Sequence, residues 1–141
     1  MTKSKQKTQY TSKLSPKPKT SSKQPRKQRR SQFNLPYHQR RKFLASHLEG
    51  SLIEKYDVRA VPVVKGDIVK IMRGQFRGHE GRVVSVDTTH HKITVDKVTI
   101  PKADGTQIAK AIDPSNVLIT KLNLEDPWRR RNLERSAEGL K

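Results

Sequence analysis

The segment KGDIVKIMRGQFRGHEGRVVSVDTTHHKITVDKV, residues 65–98, decides the fold class of this 141-residue chain. Its valines and isoleucines form short runs that are separated by glycines and polar residues. Short runs that are rich in β-branched residues and bounded by turn residues are typical of antiparallel strands. Gly74, Gly78 and Gly81 lie within eight positions. Because glycine permits positive φ and close backbone approach, they predict a tightly bent loop between two strands.

The apolar pattern around that loop predicts a small all-β unit. Five short strands are expected at about residues 66–73, 81–87, 92–100, 107–112 and 117–122. If they close on themselves they leave no exposed edge, so we predict a small barrel. In the third strand, the apolar residues change phase between Val95 and Val98. This change predicts a β-bulge near Asp96 or Lys97, since a bulge keeps both sets on the buried face.

Short helices are predicted upstream of these strands. Asn34-Leu35-Pro36 is typical of a helix start, with proline near the first helical position. A helix is therefore expected over residues 37–48, and a second short helix over residues 52–56. Residues 58–62 are expected to be extended, because the residue before a proline avoids the helical region.

Another helix is predicted near the end of the chain, where Asp126 is expected to cap it and Pro127 to begin it. Trp128 and Leu133 are expected to dock this helix, while Arg129 and the later arginines give it a basic side. The predicted organisation is a basic arm (residues 1–35) that is disordered alone, a helical lead-in (36–60), the barrel (61–123) and a C-terminal basic helix or tail (124–141).

The charge of the chain indicates its class of partner. The formal net charge is +18, from 31 Lys and Arg against 13 Asp and Glu. Self-repulsion of this size disfavours a compact state unless a polyanion neutralises it, and nucleic acid gains counterion release on binding. The sequence contains no run of about 18 apolar residues, which a membrane span would need, and no apolar core of a signal peptide near its start. The absence of cysteine excludes disulfides and cysteine-based zinc sites.

The N-terminal stretch is basic throughout, with fourteen Lys or Arg and no Asp or Glu in residues 1–42. Such a segment buries too little apolar surface to offset its ordering entropy. A mitochondrial transit peptide and a solvated tail without function are alternatives. The transit peptide is disfavoured because Pro16, Pro18 and Pro25 interrupt any amphipathic helix. An arm that folds on RNA is the preferred interpretation.

Residues 65–98 resemble the KOW motif, a hairpin found in several RNA-associated proteins. Upstream, Arg40–Lys42, Glu54–Arg59 and Val61–Val63 are similar to one KOW family, and downstream Asp113–Leu122 is similar to the same family. That family is the universal large-subunit ribosomal protein number twenty-four, called number twenty-six in the eukaryotic scheme. The resemblance covers about residues 22–136 and favours the archaeal and eukaryotic branch.

This resemblance implies a structural role in the large ribosomal subunit, near the polypeptide exit tunnel and early in subunit assembly. The expected partners are large-subunit rRNA and neighbouring ribosomal proteins, on cytoplasmic ribosomes, with nucleolar transit if the source is eukaryotic. In the family the glycine-rich loop touches rRNA. Spacing alone leaves two alternatives: Phe76 is partly exposed and stacks on a base, or it lies in the core and the arginines are merely solvated. The candidate RNA-binding residues are Arg26, Lys27, Arg29, Arg30, His38, Arg40, Arg41, Lys42, Arg59, Arg73, Gln75, Phe76, Arg77, Gly78 and His79.

Other functions find little support in the sequence. No nucleophile elbow, phosphate-binding Gly-Lys-Ser/Thr loop or His-Glu-x-x-His pair is present, so we expect no enzymatic activity and no small-molecule substrate. His90-His91 lies at a predicted hairpin tip without other ligands at metal spacing, so we expect no metal or cofactor. No homo-oligomer and no membrane contact are expected. The alternative function is a KOW module of a transcription-elongation factor that binds RNA polymerase.

Overall fold

A computed structural model describes residues 22–138, which form mainly β structure with a few short helices. The helices are α1 (Pro25–Phe33), α2 (Tyr37–Arg40), α3 (Gly50–Tyr56) and α4 (Pro127–Glu138), with 3-10 turns at Arg41–Leu44 and Pro114–Asn116. The strands are β1 (Ala45–Leu48), β2 (Ala60–Pro62), β3 (Ile68–Ile71), β4 (Glu80–Asp87), β5 (Lys92–Pro101), β6 (Gln107–Ile112) and β7 (Val117–Lys121).

The strands form one seven-stranded sheet in the order β2-β1-β7-β3-β4-β5-β6. The prediction of a five-stranded barrel is therefore wrong in strand number and in closure. β2 pairs with β1 and β6 pairs with β5, so the sheet ends at two edges that do not meet. The five predicted strands are present as β3 to β7, and β1 and β2 extend the sheet beyond β7.

β1 replaces the last four residues of the helix that was predicted over residues 37–48. The helix ends at Arg40, and a 3-10 turn leads into the strand. Leu44 and Leu48 are both buried, and their spacing of four fits one face of a helix and one face of a strand equally well. The pairing with β7 decides between them, and there the buried Ser46 hydroxyl donates to the carbonyl of Val117.

The phase change in β5 is confirmed as a bulge. The register between β5 and β6 shifts between Thr94 and Thr99, and Lys97 has a φ of 61°. Val95 and Val98 consequently both face the core. The core consists of one tyrosine and of aliphatic side chains from the strands, the segments next to them and α4: Leu44, Leu48, Tyr56, Val58, Val61, Val63, Val69, Ile71, Val83, Ile93, Val95, Val98, Ile112, Val117, Ile119 and Leu133.

α4 docks on the sheet, but not through all of the residues that were expected to dock it. The Asp126 carboxylate accepts from the Trp128 N–H, as predicted for a cap, and Leu133 is buried. Trp128, however, is 67% exposed, so its predicted docking role is wrong. Arg129 is buried instead of lying on a basic surface, because its guanidinium contacts both carboxylate oxygens of the buried Asp67 at 2.6 and 2.8 Å.

Two ends of the chain lie outside the described residues, so the predictions for most of the basic arm and for the last three residues are not tested. The described part of the arm forms α1, which has no buried residue. Its ordering by RNA and the predicted domain boundaries stay predictions. None of the helices within residues 22–138 combines the length and the apolar character that are needed to cross a bilayer.

The turn before β3 depends on Gly66, and this gives a stability prediction. Gly66 has a φ of 95°, and a Cβ there would lie 2.6 Å from Nδ2 of Asn123. Gly74 has a similar φ of 90° with nothing within 4 Å of the same position. Both alanine substitutions are expected to cost about 1–3 kcal/mol for the backbone. Gly66→Ala should cost about 1 kcal/mol more, because the Asn123 amide must move away from its hydrogen bonds to Lys65 and Glu125. Urea unfolding of both variants measures the difference, and equal costs would contradict it.

Candidate nucleic-acid interface

The loop between β3 and β4 is a tight turn that backbone hydrogen bonds close, as its glycines predicted. Its two ends are joined because the Gly78 N–H donates to the Ile71 carbonyl and the Ile71 N–H donates to the His79 carbonyl, each at 2.8 Å. Gly74 and Gly78 both have φ near 90°. The Arg77 N–H also donates to the Gly74 carbonyl. The backbone therefore presents the loop side chains in a defined geometry.

Most of the predicted loop residues are exposed, and their side chains are available to a binding partner. Arg73, Gln75, Arg77 and Gly78 are exposed, and within residues 22–138 none of these side chains makes a hydrogen bond or an ion pair. An arginine in this state offers its whole planar fork to a phosphate, which it can bind with two parallel hydrogen bonds. The loop is thus chemically suited to a polyanion.

Phe76 lies between the two alternatives that spacing allowed, since it is half-buried against the core and still lines the surface. The Lys110 ammonium lies 5.5 Å from the centre of its ring. An exposed cation–π contact contributes about 0.5–1 kcal/mol, whereas stacking of a nucleic-acid base on an aromatic ring contributes about 1–3 kcal/mol. A base can therefore displace Lys110 from the ring.

Two predicted site residues make contacts within the protein. Nε2 of His79 donates to the Asp96 carbonyl at 3.2 Å, which ties the end of the loop to the β5 bulge. Nε of Arg40 donates to the Leu35 carbonyl at 2.7 Å, and its guanidinium lies 5.1 Å from the Tyr37 ring. These side chains fix local structure, and RNA contact by either stays a prediction.

The remaining candidates lie on two other parts of the fold. α1 carries four exposed cations, and α2 with the following 3-10 turn carries three further candidates: Arg26, Lys27, Arg29 and Arg30, and then His38, Arg41 and Lys42. Arg59 is exposed beside β2, which is separated from β3 by β1 and β7. The fold therefore does not bring Arg59 next to the loop.

The sequence reasoning missed residues that line a cavity of about 240 Å³ beside the loop. Lys92, Lys110 and Asn116 share this cavity with Arg73 and Phe76. They come from β5, β6 and the turn before β7, and only the strand pairing brings them to the loop. The sequence carries no direct signal for this proximity, because it depends on the register of the β5–β6 hairpin, which pairs Ile93 with Ile112.

A carboxylate in the cavity wall balances one of these cations. Nζ of Lys92 lies 3.1 Å from Asp113, which also accepts from the Ser115 N–H and hydroxyl. Burial alone would raise the pKa of Asp113, but the hydrogen bonds from Ser115 and Lys92 outweigh it and hold the pKa below its usual value. Asp113 is thus an anion at neutral pH, and Arg73 and Lys110 have no carboxylate partner within residues 22–138.

The histidine pair lies at the β4–β5 hairpin tip, as predicted, and its two rings have different partners. Nδ1 of His90 lies 2.7 Å from the Asp87 carboxylate, and this hydrogen bond lowers the pKa of Asp87. The His91 ring packs on Phe43 with 5.1 Å between ring centres. Across the described chain, no three His, Asp or Glu side chains gather in a way that could hold a metal ion.

Known proteins that match this chain belong to one family of ribosomal proteins. The model of the family that comprises the eukaryotic ribosomal proteins L26 and their archaeal L24 counterparts matches residues 22–136. The large ribosomal subunit protein uL24 of Methanoculleus marisnigri is 50% identical over 112 residues, which are 79% of this chain and 93% of that protein. The protein of the same name from Methanosarcina barkeri is 45% identical over 114 residues, which are 81% of this chain and 98% of that protein.

Proposed function

Because the chain belongs to the family of eukaryotic L26 and archaeal L24 ribosomal proteins, we propose that it is a structural constituent of the large ribosomal subunit that binds rRNA. The small number of ion pairs is the observation that supports rRNA binding. Among the lysines and arginines of residues 22–138, only Lys92 and Arg129 form ion pairs. The other lysines and arginines of this range therefore have no carboxylate partner and are available to an external polyanion. The proposed role is structural and not enzymatic.

The proposed interface has two parts. The loop residues Arg73–His79 contact folded rRNA, and the cations of α1, α2 and the 3-10 turn contact further phosphates. Contacts to phosphate and sugar dominate, so RNA shape gives most of the specificity. The arm upstream of α1 becomes ordered on the RNA in this proposal. We propose that residues 65–98, which contain β3, the loop, β4 and the first part of β5, are the KOW unit and belong to an SH3-like element within this open sheet.

We further propose a position near the polypeptide exit tunnel of cytoplasmic ribosomes, with a role in subunit assembly and contacts to neighbouring ribosomal proteins. This part is supported by the family alone. Nucleolar transit is not proposed, because nothing in the fold or in the relatives supports it. The alternative role as a transcription-elongation KOW module is less well supported, since the family match extends over residues 22–136 and not over the hairpin alone.

Co-sedimentation distinguishes these two roles. The chain is expressed with an affinity tag, and ribosomal subunits are separated on a gradient in high salt. Stable association with large subunits supports the ribosomal role. Co-purification with RNA polymerase and absence from the large-subunit fraction would contradict it.

Arg77→Ala is expected to weaken binding to purified large-subunit rRNA by about tenfold or more, because a charge-assisted hydrogen bond contributes about 1.5–3 kcal/mol. The exposed side chain has no hydrogen-bond or ion-pair partner within residues 22–138, so the Tm should not change. Filter binding and thermal unfolding measure the two effects.

Lys121→Ala is the matched control for this prediction, since it removes one exposed cation from β7, outside the proposed interface. Its effect on affinity should be much smaller. A fall in Tm for Arg77→Ala would make Arg77 structural, and equal losses of affinity in both variants would show that net charge matters and the loop does not.

A further inference from the structure

We propose that the cavity beside the loop is a binding site for one unstacked rRNA nucleotide, with its base on Phe76 and its phosphate held by Arg73 and Lys110. This inference rests on the proposed function, because it names what the loop recognises in rRNA. It assigns Lys110 and Asn116, which lie on β6 and before β7, to the same site as the loop.

The size of the cavity suits a single base. Its volume is about 240 Å³. Sites for drug-sized ligands occupy about 300–1,000 Å³, so the cavity is just below that range. A base within an A-form helix could not enter such a concave site, because its faces are covered by its neighbours. The RNA element must therefore be a loop, bulge or end whose base can turn out of the stack.

The ring of Phe76 provides the stacking surface. The ring lines the cavity, and the group over it is the Lys110 ammonium at 5.5 Å from the ring centre. That ammonium is at the end of a four-carbon chain with free rotation, so it can move aside when a base arrives. It then lies next to the nucleotide whose base has replaced it, where it can bind the phosphate.

The charges in the cavity favour one orientation of the nucleotide. Lys92 is paired with Asp113 at 3.1 Å, whereas Arg73 and Lys110 have no carboxylate partner within the described chain. The phosphate is therefore attracted to Arg73 and Lys110 and repelled by Asp113. The edge of the base therefore faces the part of the site that has uncharged side chains.

Two amide side chains are available for the base edge. Gln75 and Asn116 line the cavity, and neither side chain makes a hydrogen bond to any residue in the range 22–138. Each amide offers one acceptor and two donor hydrogens, which can match the edge of an unpaired base. A peptide would find few apolar contacts here and two uncompensated cations, so a nucleotide is the better match.

The test uses the full chain bound to purified large-subunit rRNA. Ultraviolet crosslinking of the wild-type complex, followed by mass spectrometry of the digested protein, should give a single-nucleotide adduct on the peptide that contains Phe76. Phe76→Leu should lose this adduct and lower the affinity by about tenfold, which is within the range for one base–aromatic stack. The affinity of this variant should depend on salt as the wild-type affinity does, because stacking releases no counterions.

Phe76→Tyr is the control, because it keeps the aromatic ring and should keep both the adduct and the affinity. If Phe76→Leu does not fold, the wild-type adduct and Lys110→Met, which should lower affinity and the salt slope, decide the question. Failure of the wild-type chain to bind rRNA would overturn the proposed function. Normal salt-dependent binding without an adduct near Phe76 would overturn this inference alone.

Discussion

Replacing Asp67 with alanine is expected to destabilise the folded chain by about 3–5 kcal/mol, because it leaves the buried Arg129 guanidinium without its counter-ion. Asp67 is fully buried and Arg129 is 9% exposed. The carboxylate also accepts from the N–H groups of Val64 and Asn123 at 2.9 and 2.7 Å. One substitution thus strands a charge and two backbone donors. Since small domains have about 5–15 kcal/mol in total, urea unfolding should show a large loss.

The control variants separate the buried charge from other effects. Asp104→Ala removes an exposed carboxylate from a turn and should change stability by less than about 0.5 kcal/mol. The double variant Asp67→Ala with Arg129→Met removes the stranded charge and should recover a large part of the loss, since apolar replacements of buried ion pairs are often close to neutral. A loss below about 1 kcal/mol for Asp67→Ala alone would contradict the role of this pair in docking α4.

Removing residues 1–34 is expected to lower rRNA affinity strongly and to flatten its dependence on salt. The deletion takes away eleven lysines and arginines and no acidic residue. Each lost phosphate contact reduces the slope of log affinity against log salt by about one. α1 has no buried residue, so the sheet should stay folded. Filter binding from about 50 to 200 mM salt measures the slope, over which six contacts correspond to about 10³-fold.

Thermal unfolding of the truncated chain is the control for that deletion. Its Tm should remain close to that of the intact chain, because the first core residue, Leu44, is retained. An unchanged salt slope in a folded truncated chain would remove the arm from the binding mechanism.

The strands from residue 68 to residue 121 could be predicted because their signals are local. β-branched runs end at glycines and polar turns, and the phase change before Val98 required a bulge that the structure shows at Lys97. The start of α4 was also predictable, since Asp126 and Pro127 act as a cap and a first helical residue. In each case neighbouring residues are sufficient to determine the structure.

What could not be predicted depends on residues far apart in the chain. β1 was assigned to a helix because a spacing of four residues between Leu44 and Leu48 fits both structures, and only pairing with β7 decides. Arg129 was assigned to the surface because its partner Asp67 is 62 positions away. Closure of a barrel was inferred because it would leave no exposed edge, whereas β6 pairs with β5 alone and does not reach β2.

Only part of the candidate interface could be predicted from the sequence, for the same reason. The exposed arginines of the loop could be found from a short basic motif with glycines. The cavity beside them could not, since Lys110 comes within 5.5 Å of Phe76 only through the register of the β5–β6 hairpin. A single sequence carries no direct record of that contact.

The most direct test of the account is the salt titration of the intact chain on purified large-subunit rRNA. Because its surplus cations are unpaired within residues 22–138, the chain should bind tightly at low salt and lose about 10³- to 10⁵-fold in affinity between 50 and 200 mM. Weak binding, or an affinity that does not change with salt, would contradict the claim that a polyphosphate neutralises this charge.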